Sequence, residues 1–272
     1  MVKFSVLMSI YSKENAMYFD RAMVSIWDEQ TIKPSEIVLV EDGRLTDDLY
    51  NSINQWKNKI GITFRTIPLE KNVGLGIALN IGLHKCKYKL IARMDTDDIA
   101  RFDRFERQLS VFSNTDIDAC SRWISEFDKN ELKIISQRKV PREHLDIVSF
   151  SRKRNPINHN AVMFKKNIVI EAGGYRHMPW FEDYDLWIRM INNSNFFNIQ
   201  EPLVKMRVGL DQIKRRSGLN YALSELKFNK VLLNKGFINK PYFYSVALFK
   251  FILRISPKFI VAKFYRLLRR FG

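Results

Sequence analysis

The chain is poor in several features that mark whole classes of protein. It has 2 cysteines in 272 residues, Cys86 and Cys120, too few for a disulfide framework and in keeping with a reducing compartment. No window of about 20 apolar residues occurs, so nothing in the sequence is built to cross a bilayer. The apolar opening, Met-Val-Lys-Phe-Ser-Val-Leu-Met-Ser-Ile-Tyr, is too short for a secretory signal, lacks a small-residue cleavage site and reads as a buried strand. Internal repeats, low-complexity tracts and Gly/Ser linkers are absent. Acidic residues also run out: residues 1–204 hold 29 bases and 27 acids, whereas 205–272 hold 16 bases and 2 acids, with none after Glu225. Of the net charge of +16, the last 68 residues therefore carry +14.

What is present is ordinary for a folded protein, with 46% hydrophobic and 27% charged residues, and this rules out wholesale disorder. Strand-like runs at 4–10, 37–40, 63–67 and 90–94 alternate with helix-like stretches at 19–28, 48–59 and 76–84. Short β-rich runs alternating with helices imply βαβ units, a mostly parallel central sheet and helices on both faces. Ligands of such sheets bind beyond the carboxyl ends of the strands. Further on, the pattern predicts a helix over 104–112, strands at 119–127, 133–136, 161–164 and near 196–199, a short helix from Glu182 and a longer one over 212–235. The division expected is an α/β domain over 1–210 with a basic helical extension over 211–272.

The strongest chemical signal is Arg93-Met94-Asp95-Thr96-Asp97-Asp98, directly after an apolar strand. Carboxylates this close repel one another and gain nothing by clustering without a cation or strong donors. Hard oxygen ligands on a short loop suit Mg²⁺ or Mn²⁺; a solvated acidic turn or helix cap is the other reading of the same residues. Glu41-Asp42-Gly43 lies at another strand's carboxyl end, where an Asp can accept hydrogen bonds from a base or ribose, although Asp-Gly is also a generic turn. Asn72-Val73-Gly74-Leu75-Gly76 opens a helix, a natural anion site, but its spacing is not Gly-x-Gly-x-x-Gly, so a dinucleotide fold is not supported. Trp180-Phe181-Glu182-Asp183-Tyr184-Asp185-Leu186-Trp187 sets acids among aromatic rings. Acids in a first helical turn are favoured by the dipole in any case, yet apolar walls around a carboxylate and flat faces for a sugar ring also suit a saccharide site. Asp183 is the candidate base, with Trp180, Glu182 and Asp185 as acceptor-side candidates. His159, in Asn155-Pro156-Ile157-Asn158-His159, could ligate a metal, bind a diphosphate or serve structure.

In this order the segments resemble the family-2 glycosyltransferases, over roughly residues 3–205. Among these the chain is most similar to bacterial enzymes that build O-antigen, capsule or exopolysaccharide repeat units. The resemblance implies a GT-A nucleotide-binding fold, inverting chemistry and a UDP-type donor. It implies donor contacts from Glu41, Asp42, Asn72, Gly74, Arg93 and Asp95, a metal (Mn²⁺ or Mg²⁺) on Asp97 and Asp98 with His159 nearby, and Asp183 as general base. Asp95-Thr96-Asp97-Asp98 admits two registers of the Asp-x-Asp motif, so Asp95 and Asp98 stay interchangeable between metal and ribose. One departure is Ile99-Ala100-Arg101-Phe102-Asp103, where relatives often carry a proline. The absence of Gln-x-x-Arg-Trp argues against processive polymerisation.

The tail after residue 240 mixes bases with aromatic and aliphatic residues, and Ser256-Pro257 breaks it into two helices. Such a segment fits an interfacial helix pair on anionic lipid; its apolar content disfavours nucleic acid, and the plain alternative is a helix packed on the domain. An acceptor sugar on a polyprenyl diphosphate would place the protein at the cytoplasmic face of the membrane. The rival functions are a sugar-phosphate nucleotidylyltransferase, disfavoured because residues 4–14 lack a Gly-rich basic loop, and a non-catalytic nucleotide-sugar-binding or membrane-surface scaffold.

Overall fold

A computed structural model of the chain describes residues 2–209 and 218–256. In chain order its strands are β1 (Phe4–Ile10), β2 (Glu36–Glu41), β3 (Phe64–Pro68), β4 (Leu90–Arg93), β5 (Ile99–Ala100), β6 (Ala119–Phe127), β7 (Ile134–Arg138), β8 (Met163–Lys165) and β9 (Phe196–Arg207). The helices are α1 (Ala16–Ile26), α2 (Asp47–Ile60), α3 (Leu75–Lys85), α4 (Arg104–Asn114), α5 (His144–Phe150), α6 (Lys166–Glu171), α7 (Glu182–Met190), α8 (Leu219–Asn234) and α9 (Lys240–Ile255).

The strands form one sheet in the order β3-β2-β1-β4-β8-β6-β9-β5, with β7 on β6. The first four are parallel, as the alternating pattern predicts, and their carboxyl ends share one edge. Beyond β4 the sheet is mixed: β8 runs antiparallel to β4 and to β6, and β9 parallel to β6. No helical crossover of the βαβ kind precedes β8, so the handedness rule does not constrain it. β9 extends far beyond the expected 196–199. Its Pro202 sits where the pairing with β6 shifts register around Trp123, one of the few places a strand tolerates proline. The expected strand at 161–164 opens instead as a 3-10 turn at His159–Ala161. The two-residue β5 and the short α5 and α6 are too brief for periodicity to announce.

Alternate residues of β1 build two cores. Phe4, Val6, Met8 and Ile10 face α1, α2 and α4, while Leu7 joins Val38, Val40 and Ile91 against α3 and α7. Strands buried on both faces are continuously apolar, which is why the four parallel strands stand out in the sequence. A third cluster unites α7 with α8: Phe181 and Tyr184 meet Phe228 at ring distances of 5.0 and 4.6 Å.

The basic extension is thus docked where it is described. α9 lies on α8, and two bases of the tail, Lys250 and Arg254, pair with Glu225 at 3.2 and 2.8 Å. Burial raises the Glu225 pKa, but the Arg254 hydrogen bond and the Lys250 charge outweigh it and hold the group below its ordinary value. α9 still exposes Tyr244, Phe249 and Ile252. Residues 257–272, the second half of the expected interfacial pair, lie outside the described residues, as does 212–217 of the expected long helix. No helix among the described residues is long and apolar enough to cross a membrane.

α3 approaches β1 and β2 through Gly82. A Cβ there would lie 2.6 Å from both Leu7 and Val40 side chains, so Gly82→Ala overpacks the core and should cost roughly 1–3 kcal/mol. Urea unfolding checks this through a lower midpoint at unchanged slope.

Candidate active site

The carboxyl ends of β2, β3 and β4 present the loops that sequence reading singled out. After β2 the chain turns at Gly43, whose φ of +85° suits glycine and whose absent Cβ would lie 2.7 Å from the Asn72 amide. That close approach lets Asp42, buried, take the amides of Val73 and Gly74 on its two carboxylate oxygens at 2.7 and 3.1 Å, while the Asn72 side chain donates to the Asp42 carbonyl at 3.2 Å. Asp42, expected in the donor groove, is therefore a latch that shapes the loop opening α3. Glu41, at the end of β2, is buried too.

After β4 come the clustered acids. Carboxylate oxygens of Asp95, Asp97 and Asp98 lie within 4.8 Å of one another. Asp95 and Asp97 are half-buried and Asp98 is buried. Beneath them Arg93, with no exposed surface, donates to Asp95 and to the Met94 carbonyl. Arg104, equally buried, donates to the Arg93 carbonyl at 2.6 Å. Asp98 accepts from Asn160 and from the Arg207 amide at 2.9 Å. Burial, then the charges of Asp97 and Asp95, push the Asp98 pKa well above the ordinary carboxylate range against those two hydrogen bonds. Three hard oxygen donors crowded at this cost fit a divalent cation.

His159 is not among the converging ligand atoms. Its Nε2 lies 3.0 Å from the Tyr175 hydroxyl, and its ring packs edge-on to Trp187. Burial, helped by the charge of Arg93, drives its pKa well down, leaving a neutral imidazole committed to Tyr175.

α7 brings the second acidic group. Asp183 accepts from the Asn155 side chain at 2.7 Å. Glu182 packs on α3, where a Cβ on Gly76 would lie 3.1 Å from the Glu182 Cβ. Burial first, then the charge of Asp183, push Glu182 up to about 7, and Arg93 and Asp95 also act on it. The α7 acids thus share one electrostatic site with the β4 loop. Trp180 stands at the lip, 43% exposed, at φ 67° and edge-on to Tyr221 of α8; among the described residues it alone combines a side chain with positive φ. Asp185, expected on the acceptor side, is instead buried against Arg189 at 2.9 Å, and Arg189 goes on to donate to the Ala172 and Gly174 carbonyls. Its place in the helix turns it to the core.

Sequence reading missed Asn160 and Arg207. Asn160 follows His159 in a run of amides before a strand. Arg207 ends β9, where its guanidinium donates to the Asp97 carbonyl at 3.2 Å and stacks 3.7 Å above Tyr18. No local signal ties either to a loop more than sixty residues away.

The family model described as "Glycosyl transferase family 2" matches residues 5–170. The chain belongs to this family. It is 37% identical over 272 residues to the UDP-Gal:alpha-D-GlcNAc-diphosphoundecaprenol beta-1,3-galactosyltransferase of Escherichia coli, covering 99% of this chain and 98% of that one. It is 37% identical over 248 residues to the amylovoran biosynthesis glycosyltransferase AmsE of Erwinia amylovora, covering 89% and 91%. Its fold matches S. aureus TarS 1-349 in complex with UDP-GlcNAc at a TM-score of 0.65 and 16% identity, over 93% of this chain and 72% of that one. It matches the Pyrobaculum calidifontis mannosyltransferase PcManGT, in complex with GDP-Man and Mn2+, at 0.65 and 14%, over 90% and 69%. The family-2 glycosyltransferase therefore has the GT-A fold that its sequence implies.

The raised pKa of Glu182 has a consequence for stability. The native state holds this proton up to about pH 7, whereas the unfolded chain releases it near the ordinary glutamate value of about 4.3. Stability contributed by the group is thus full below the unfolded value and falls as pH rises toward 7, by on the order of 2–3 kcal/mol. Glu182→Gln should therefore raise the Tm at pH 8 and change it little at pH 4, measured by calorimetry in a chelator.

Proposed function

We propose that this glycosyltransferase moves a hexose from a UDP-sugar to a hydroxyl of a saccharide carried on a polyprenyl diphosphate, with inversion at the anomeric carbon, during assembly of a bacterial surface polysaccharide. The observation that carries the reading is the nearness of two acidic groups: the Asp95–Asp97–Asp98 cluster and the Glu182–Asp183 pair, with the charges of Arg93 and Asp95 both felt at Glu182. The name of the E. coli relative supports the donor and acceptor classes.

The two acidic groups have different work. Asp97, Asp95 and Asp98 would hold Mn²⁺ or Mg²⁺, which when bound supplies Lewis-acid stabilisation of the departing diphosphate. Arg93 below fixes Asp95, and Asn160 with the Arg207 amide fixes Asp98, so the carboxylates are set before ligand arrives. The loop that Asp42 latches, with Asn72 and Gly74, lines the nucleotide side beside Glu41. Asp183 takes the proton from the acceptor hydroxyl as it attacks the face of the sugar opposite the leaving group, and Asn155 orients it. A placed base contributes about 10²–10⁴-fold. Trp180 offers its flat face to the acceptor sugar, in the manner of aromatic platforms.

The acceptor class puts the enzyme at the cytoplasmic leaflet, and the exposed Tyr244, Phe249 and Ile252 of α9 suit lipid contact. A saccharide acceptor and an acid-lined site leave no role for nucleic acid.

Asp183→Asn should lower turnover by about 100- to 10,000-fold while UDP affinity, read by calorimetry, stays unchanged; wild-type turnover in that variant would remove the base assignment. Chelation of divalent ions should abolish transfer and re-addition of Mn²⁺ restore it. Full activity in the chelator would show instead that the acid cluster works without a cation.

A further inference from the structure

The proposed site leaves a group of cations unexplained. Arg152-Lys153-Arg154 leaves α5 as an exposed turn, in which the amides of Lys153 and Arg154 both donate to the Phe150 carbonyl at 3.0 Å. Among the described residues no carboxylate forms an ion pair with any of these three bases. Unneutralised neighbouring bases repel one another, so an anion brought among them is bound strongly. Arg138, at the end of β7 and with partners of its own, stands beside this turn and donates to the Asn155 carbonyl at 2.9 Å.

Their place relative to Asp183 and α9 is telling. Asn155 directly follows Arg154, and its side chain holds Asp183 at 2.7 Å. On the other side stands Tyr184, whose hydroxyl donates to the Ser151 carbonyl at 2.6 Å. Burial drives the Tyr184 pKa up and Tyr242 of α9 adds to this, while the positive charges of Arg138 and Arg154 oppose it. Both guanidiniums and the first turn of α9 therefore bear on one hydroxyl. Around Asp183 thus lie the Arg138–Asn155 contact and the Arg152–Arg154 turn, and Tyr242 and Phe243 of α9 pack on the cluster that holds Tyr184; α9 also exposes Tyr244, Phe249 and Ile252. A saccharide on a lipid diphosphate carries matching chemistry: a hydroxyl, two phosphates and an apolar chain.

We infer that Arg138 and Arg154, with Lys153 beside them, bind the diphosphate of the lipid-linked acceptor, a second anion site separate from the acid loop that serves the donor. The inference rests on the acceptor class proposed above. The cations set the distance between lipid and sugar, so that the sugar hydroxyl stands at Asp183 when the chain lies along α9.

The test uses the full chain with its donor site filled by UDP and Mg²⁺, and farnesyl diphosphate as the probe, read by calorimetry against farnesol. Arg154→Gln should weaken farnesyl diphosphate about tenfold, the loss of one charge-assisted hydrogen-bonding partner, while farnesol and UDP affinities stay as they were. Arg138→Gln should act in the same direction; because Arg138 also supports Asn155, Arg154→Gln decides the matter if the former fails to fold. Unchanged farnesyl diphosphate affinity in Arg154→Gln overturns the inference. So does an equal loss of binding to phosphatidylglycerol vesicles, which would mean that the bases read any anionic lipid surface, or a loss of UDP affinity, which would assign them to the donor. Unsubstituted protein that binds UDP with Mg²⁺ but not farnesyl diphosphate overturns this inference and leaves the donor reading standing; failure to bind UDP overturns both.

Discussion

Mutual repulsion among Asp95, Asp97 and Asp98 is the constraint around which the rest is arranged. The loop is short and follows a buried strand, so the three side chains cannot separate. The protein answers with cations and amides from distant parts of the chain: Arg93 below Asp95, Arg104 below Arg93, Asn160 and Arg207 on Asp98. The answer has its own cost. Burial and the neighbouring Arg93 push Arg104 down to about 9, an uncommon state for a guanidinium. Buried charges without compensation are strongly unfavourable, so acids and arginines stabilise each other, and neither set makes sense alone.

α7 is the second organising element, because its two sides do different things. Asp183 in its first turn is held by Asn155 and Glu182 packs against α3, while Phe181, Tyr184 and Ile188 join α8 in a separate apolar cluster. The position of Asp183 and the docking of α8 are thus decided by one nine-residue helix and the residue before it. Trp180 just before it holds a positive φ against the usual steric preference, a conformation maintained only where the surroundings over-determine it.

Legibility followed physical scale. The four parallel strands were readable because burial on both faces makes them continuously apolar, and helices α1 to α4 because their stripes recur at helical spacing. The convergence of Asp95, Asp97 and Asp98 was readable because repulsion makes such clusters unfavourable unless something holds them. Elements of two to seven residues, such as β5 and α5, have no period to detect. Asp42 and Asp185 show the other limit: residue type and locale could not reveal the backbone amides that hold one or the Arg189 pair of the other. Pairings across long sequence separations, Asn160 to Asp98 or Arg207 to Asp97, leave no trace in a single sequence. The tail illustrates both sides. Its mixture of bases and apolar residues was plain, but the pairing of Lys250 and Arg254 with Glu225, which packs α9 on α8, had no local signal.

The family match ends at residue 170, short of Asp183, Trp180, Arg207 and both C-terminal helices. The relatives that match the whole chain span these later residues as well. The acid loop therefore lies inside the stretch the family model covers, while the Arg207 amide and α7 close over it from beyond that stretch. A chimera joined near residue 170 would keep the loop's support only if the donated piece still ended its long strand with a backbone amide at Asp98.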